Sequence, residues 1–229
     1  MTRVRTLKLE TLPASLEIRE SSRARRMTLR VDPARDVIQV TTPPGVGNFE
    51  VTGFVGRNLA WIHRRFAALP PRQAFVEGGV VPVLGCDHVI RHHRQSGGEI
   101  RAGEIRVGGD PAFLARRVRD LLNREARREL TTRSLGMASV LGVRIAALSL
   151  RDPRSRWGSC SATGRLSYSW RLILAPEWVV NYVVAHEVSH LKELNHSPRF
   201  WALVAAFPVD VGAAQSWLKA QGSRLLRIG

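Results

Sequence analysis

Cysteine is nearly absent from this 229-residue chain: Cys86 and Cys160 are the whole complement. Two thiols cannot build a disulfide framework, so nothing in them argues for export. There is no apolar run of 18 residues, which excludes a transmembrane helix by hydropathy. The opening stretch, Met1–Glu20, alternates charged and short apolar groups and has no secretory apolar core. Internal repeats and low-complexity tracts are missing. So are a glycine-rich phosphate loop, a G-x-S-x-G elbow and a paired-carboxylate motif. These absences lead us to expect a soluble cytoplasmic protein.

Acidic residues are also scarce: 19 Asp and Glu face 35 Lys and Arg, for a formal charge of +16. Lys8, Lys192 and Lys219 are the lysines, so the surplus is almost all arginine. Arginine grips phosphate and carboxylate bidentately, which makes a nucleic-acid or acidic partner one reading. The plainer reading is arginine usage set by a GC-rich genome. The surplus is spread along the chain rather than gathered in an arm, which fits that second reading.

With 44% hydrophobic residues the composition is that of a folded protein. Alternating Met27, Leu29 and Val31, then Val37–Val40, predict two strands joined at Asp32-Pro33. Asn48 is expected to cap one helix running to about Leu69, with Val51, Val55, Leu59, Ile62 and Phe66 on its apolar face. Residues 76–108, rich in Gly and Val, predict three short strands. Asp110-Pro111 opens a long helix to about Met137, whose other face carries seven arginines. Strands follow near 145–150 and 165–174, then helices from Pro176 to Leu194, from Ser197-Pro198 to about Ala206, and over 212–225. This pattern divides as 1–109, a β-rich unit with one helix; 110–140, a connecting helix; and 141–229, an α+β unit.

Chemistry concentrates in His186-Glu187-Val188-Ser189-His190, an H-E-x-x-H pattern. Residues four apart stack on one helix face, about 6 Å from each other, so His186 and His190 can converge on one ion. Glu187 is rotated about 100° from His186, beside the ion, where it can take a proton from a metal-bound water. Zinc hydrolases use three protein ligands and keep one position open. His196, in the break before Ser197-Pro198, is the best third ligand. Glu193 shares the histidine face but stands roughly 10 Å above His186 on a continuous helix. The H-x5-H step is also that of metzincins, but Glu193 replaces their glycine, and Met1, Met27 and Met137 all precede the motif, so this is not a metzincin.

Arg156-Trp157-Gly158-Ser159-Cys160-Ser161, Leu172–Pro176, the H-E-x-x-H stretch and Asn195–Trp201 together resemble the YgjP-like metallopeptidase family, related to WLM and SprT-like zincins. The resemblance continues weakly upstream through Arg23–Arg30 and Pro43-Pro44-Gly45. The element pattern above predicts an α+β fold with an N-terminal β-rich unit packed on a C-terminal α+β unit, and the resemblance implies that this second unit is zincin-like, with an active-site helix. The resemblance also implies a zinc hydrolase with ligands His186, His190 and His196, and catalytic Glu187. It implies no particular substrate. One Zn²⁺ per chain and a peptide or protein substrate are therefore expected.

Arg156, Trp157, Gly158 and Tyr168 are candidate substrate-binding residues, with Gly158 allowing close backbone approach to an added strand. The opposing reading of Trp157 is core filling. Arg156, Tyr168 and Tyr182 are candidates to stabilise an oxyanion. Cys160 reads as a small buried residue before it reads as an extra zinc ligand. Cys86, His88, His92 and His93 suggest a second metal site, yet strand alternation turns His93 away from His88 and His92. His63 reads as a polar-face residue. Three other functions remain open: a nucleotide phosphoanhydride hydrolase, a nucleic-acid-associated SprT-like protease, and an Arg-rich nucleic-acid-binding module with structural zinc. Product analysis separates the first from proteolysis. The last is disfavoured because closed structural sites have four protein ligands.

Overall fold

The alternation that predicts strands at 28–42 does form them, and they recruit two more. A computed structural model describes residues 4–95 and 97–229; Met1–Arg3, the start of the segment read for a leader, lie outside the described residues. Strands β1 (Val4–Leu7), β2 (Leu16–Glu20), β3 (Thr28–Asp32) and β4 (Val37–Thr42) form one sheet in the order β1-β2-β4-β3. Leu16, Ile18, Ile38 and Val40 share its buried face, because β2 and β4 run parallel with Leu16 opposite Ile38 and Ile18 opposite Val40. That face packs on Val51, Val55 and Ile62.

The expected single helix over 48–69 is two, α1 (Asn48–Arg57) and α2 (Leu59–Ala67). Asn58 breaks it at φ −111°, ψ 9°, its side-chain amide donating to the Phe54 carbonyl at 2.8 Å. A side chain that competes for backbone partners in this way weakens a helix without any Pro or Gly. The N-cap is Gly47 rather than Asn48, with the Glu50 carboxylate accepting the Gly47 N–H at 2.9 Å.

The second unit begins at Arg72 and runs to Gly229. Its first sheet has four strands where three were expected: β5 (Val80–Val83), β6 (Cys86–His93), β7 (Gly98–Arg101) and β8 (Glu104–Gly108), ordered β5-β6-β8-β7. Asp110 caps a 3-10 turn that leads into α3 (Leu114–Leu141), and Gly142 ends that helix in the left-handed region at φ 64°. A second sheet, β10-β11-β9, is made of β9 (Ala147–Arg151), β10 (Gly158–Cys160) and β11 (Arg165–Ser169). Helices α4 (Glu177–Ser189), α5 (Pro198–Val204) and α6 (Val211–Leu225) complete it. Val81, Ile90 and Ile105 share one continuous core with Leu122, Leu130, Leu166, Val180 and Val184. By packing, the described chain divides between Pro71 and Arg72.

The arginine face of α3 is largely tied down. Arg116 pairs with Asp120 and Arg128 with Glu125 and Glu129; Arg133 binds Glu129, Asn181 and Glu177, latching α3 to α4. Arg117 and Arg124 donate to the Gly108 and Gly98 carbonyls. Among the described residues no helix is long and apolar enough to cross a membrane.

Among the described residues one arginine is buried. Arg171 is 6% exposed; it makes a two-point ion pair with Asp152 and donates to the carbonyls of Leu225 and Ile228 at 2.9 and 2.6 Å. It thus ties the C-terminal segment, whose Gly229 N–H also bonds the Gln73 carbonyl, to the second unit. Arg171→Ala would strand two buried carbonyls. It is expected to lower stability by roughly 2–4 kcal/mol, measured as a urea midpoint shift at constant slope.

Candidate metal centre

Helix α4 is apolar on almost every side. Val179, Val180, Val183, Val184, Ala185 and Val188 are all buried, so the helix runs through the core and carries its polar groups inward with it. His186 and Glu187 lie in its last turn, and Glu187 is only 6% exposed. The helix ends at Ser189, not Leu194 as its sequence suggests. His190 is the C-cap, and its Nδ1 lies 2.9 Å from the Glu193 carbonyl. A carbonyl only accepts, so Nδ1 carries the proton and Nε2 keeps its lone pair. The early stop folds the chain back over the helix end. Asn195 Oδ1 accepts the Ser197 N–H at 2.9 Å, Ser197 caps α5, and Pro198 takes its first turn.

That turn carries His196 to the other two histidines. Ligating atoms of His186, His190 and His196 lie within 4.8 Å of one another, and the Nε2 atoms of His186 and His196 are 3.0 Å apart. The ring centroids form a near-equilateral triangle, 4.9, 4.9 and 4.8 Å on a side. Two nitrogens sharing a tetrahedral zinc at about 2.0–2.1 Å stand roughly 3.3–3.4 Å apart. The observed separations bracket that value. Phe200, fully buried, stacks on His190 with centroids 4.4 Å apart, and Trp201 stacks on His196 at 5.9 Å.

Burial, with the neighbouring His190 and His196, pulls His186 down to about 4; burial also lowers His190. Both are neutral at pH 7. Neutral imidazoles with lone pairs converging in a partly buried site form the donor set that a borderline cation such as Zn²⁺ takes. Glu193 contributes its main-chain carbonyl to this arrangement, and its side chain is not part of the cluster.

Glu187 projects beside the triad into a pocket of about 260 Å³, whose walls include Arg156, Trp157, Tyr182, Val183 and Leu218. Gly158, on the edge strand β10, is pressed against it. A Cβ there would lie 2.5 Å from Glu187 Cγ and 2.6 Å from Oε1. The close approach expected at Gly158 is thus made by the chain's own glutamate. Trp157 lines the pocket while its ring edge rests against Gly222 of α6, where a Cβ would come within 3.0 Å.

Burial pushes the Glu187 carboxyl up to about 7, with the Arg156 charge pulling the other way. A carboxyl raised on folding stabilises the fold below its unfolded value, near 4.5, and loses that contribution as pH climbs through 7. Between about pH 5 and 9, metal-free protein is expected to lose up to roughly 3 kcal/mol that metal-free Glu187→Gln retains, read from urea midpoints.

Of the remaining candidates, Tyr168 is not brought to the pocket. It is fully buried on β11 and its hydroxyl accepts from Ser134 Oγ at 3.1 Å. Tyr182 is there instead, its ring 5.9 Å from His186 and its hydroxyl accepting from Gln215 Nε2 at 3.0 Å. It is a named candidate and lies four residues before His186; Leu218 of α6, not among the candidates, carries no sequence signal. Cys160, half-buried, is pushed up to about 11 by burial and by Glu187, so it is a thiol at neutral pH and stands outside the histidine cluster. His88 bonds the Cys86 carbonyl and His92 the Gly109 carbonyl, and no metal cluster forms there among the described residues. His63, exposed, contacts the Thr11 carbonyl at 3.1 Å.

The profile of the YgjP-like metallopeptidase domain matches residues 25–221. No curated protein matches the chain. Among solved structures, the metallopeptidase zymogen of Pyrococcus abyssi abylysin is similar, at 21% identity and a TM-score of 0.36 over 43% of this chain and 97% of that one.

Proposed function

The chain belongs to the YgjP-like metallopeptidase family, and we propose that it is a zinc peptidase in which His186, His190 and His196 hold the ion and Glu187 is the general base. The observation that carries this reading is the convergence of three imidazoles beside one buried carboxyl group that opens onto a pocket. When bound, zinc supplies Lewis acidity, polarising the scissile carbonyl and acidifying the attacking water.

The chain's own residues do the rest. Glu187 takes the water's proton as that oxygen bonds to the carbonyl carbon, then returns it to the nitrogen as the C–N bond breaks. Its elevated carboxyl, near 7 in the metal-free protein, suits a group that must both accept and give a proton at neutral pH. Gly158 holds it against β10 and limits its rotamers. The His190–Glu193 bond orients one imidazole as outer-shell partners do. Tyr182 stands on the pocket side, where an oxyanion needs a donor; its hydroxyl accepts from Gln215 and keeps its own proton to give. We assign a cytoplasmic setting on Cys86 and Cys160, both free thiols.

The test is metal removal. Chelation is expected to abolish cleavage of an internally quenched peptide, and about one equivalent of zinc to restore it, with elemental analysis giving one zinc per chain. Peptide cleavage that survives in zinc-free protein would overturn the reading. So would zinc-dependent hydrolysis of a nucleoside triphosphate with none of peptide.

A further inference from the structure

Beside the proposed base lies a cation without a hydrogen-bond or ion-pair partner among the described residues. Arg156 is exposed, and its charge acts on Glu187. A guanidinium stays charged at any working pH, and its fork matches a carboxylate. Arg133 and Arg171, beside the second unit's core, behave differently: each is held by several protein partners. Arg156 is placed for something outside the chain.

The pocket it borders defines that something, and this step rests on the peptidase reading above. Glu187 must hand its proton to the departing nitrogen, so the substrate residue that owns this nitrogen lies against Glu187. The space on that side is the pocket, where the side chains of Trp157, Val183 and Leu218 and the ring of Tyr182 form an apolar part of the wall beside Arg156, His186 and Glu187. The Tyr182 hydroxyl accepts from Gln215. At about 260 Å³ the pocket falls just below the roughly 300–1,000 Å³ of sites that enclose a whole small molecule. It fits one large apolar side chain. Trp157 cannot retreat, because Gly222 backs its ring.

One atom beyond that residue's Cα comes its carboxyl carbon. If the substrate continues, this is a neutral peptide carbonyl; if the substrate ends, it is a carboxylate, the partner that an unpaired guanidinium binds most strongly. We propose that the site removes single apolar residues from the C-terminus of peptides, with Trp157, Val183 and Leu218 holding the departing side chain and Arg156 its α-carboxylate. The last peptide C–N bond breaks, the water oxygen joins the carbonyl carbon, and the nitrogen gains the proton carried by Glu187. A shortened peptide and a free amino acid leave.

The test compares acetyl-Ala-Phe with its C-terminal amide. By calorimetry on the Glu187→Gln protein, with and without zinc, the free acid is expected to bind roughly ten- to hundredfold more tightly. That preference is expected to vanish in Glu187→Gln/Arg156→Gln and to return in part with Arg156→Lys. In zinc-loaded wild type the acid is expected to be hydrolysed at least tenfold faster than the amide.

Equal binding of acid and amide would overturn the proposal, even if the enzyme cleaved long peptides internally; the peptidase reading would then stand alone. An Arg156-dependent acid preference without turnover of either peptide would uphold the pocket assignment and count against the peptidase reading. Tighter binding of inorganic pyrophosphate than of the acid, lost in Arg156→Gln, would overturn the carboxylate assignment.

Discussion

Glu187→Gln is expected to lower peptide turnover by about 10²–10⁴-fold while zinc content stays at one per chain. The amide keeps the volume and planarity of the carboxylate, so its contact with Gly158 survives, and the variant differs from wild type chiefly in its inability to accept a proton. Position makes the effect specific. Glu187 follows His186 by one residue and is turned about 100° around the helix, which takes it off the histidine face and into the pocket wall. Structural damage would read differently: it would lower the melting temperature, whereas removing a buried carboxyl raised to about 7 is expected to raise it above neutral pH. Wild-type turnover in the zinc-loaded variant would remove Glu187 from the chemistry.

His196→Ala is expected to weaken zinc binding by more than 10²-fold, since loss of an outer-shell partner alone costs about 10–100-fold and this removes a donor itself. Activity should fall with occupancy and return in part at high zinc. The informative companion is Glu193→Ala. A continuous helix would make that side chain the rival third ligand, but the helix ends at Ser189 and Glu193 offers the cluster its main-chain carbonyl. The alanine variant keeps that carbonyl, so its zinc affinity should stay near wild type. Full zinc retention in His196→Ala with loss in Glu193→Ala would reverse the assignment.

Features governed by neighbours in sequence were readable before any coordinates. The long helix α3 declares itself through Asp110-Pro111 at its start and its three-to-four apolar spacing, and the structure carries it from Leu114 to Leu141 rather than to about Met137. The H-E-x-x-H arrangement is of the same kind, because a helix converts a spacing of four directly into a shared face. Misreadings arise where a side chain acts on the backbone. Asn58 breaks the helix expected over 48–69 through one bond to Phe54, and no Pro or Gly announces it. The end of α4 depends on His190 reaching Glu193. β1 and β2 are not predicted, although Leu16-Glu17-Ile18-Arg19-Glu20 alternates apolar and charged residues; such short segments become strands by pairing with each other and with β4.

What the sequence by itself determined, then, is an α+β chain with a two-histidine, one-glutamate helix and a third histidine at a chain break. Each follows from local spacing and from residues that restrict φ and ψ. Tertiary structure alone decided the surroundings of those groups. It placed Gly158 against Glu187, backed Trp157 with Gly222, turned Tyr168 into the core while Tyr182 faces the pocket, and left Arg156 without a hydrogen-bond or ion-pair partner among the described residues. These relations join β10, α4 and α6, segments remote in sequence that meet only because one hydrophobic core draws them together. Burial in that core is also what holds His186 neutral and raises Glu187, since desolvation belongs to a position in the fold and not to a residue type.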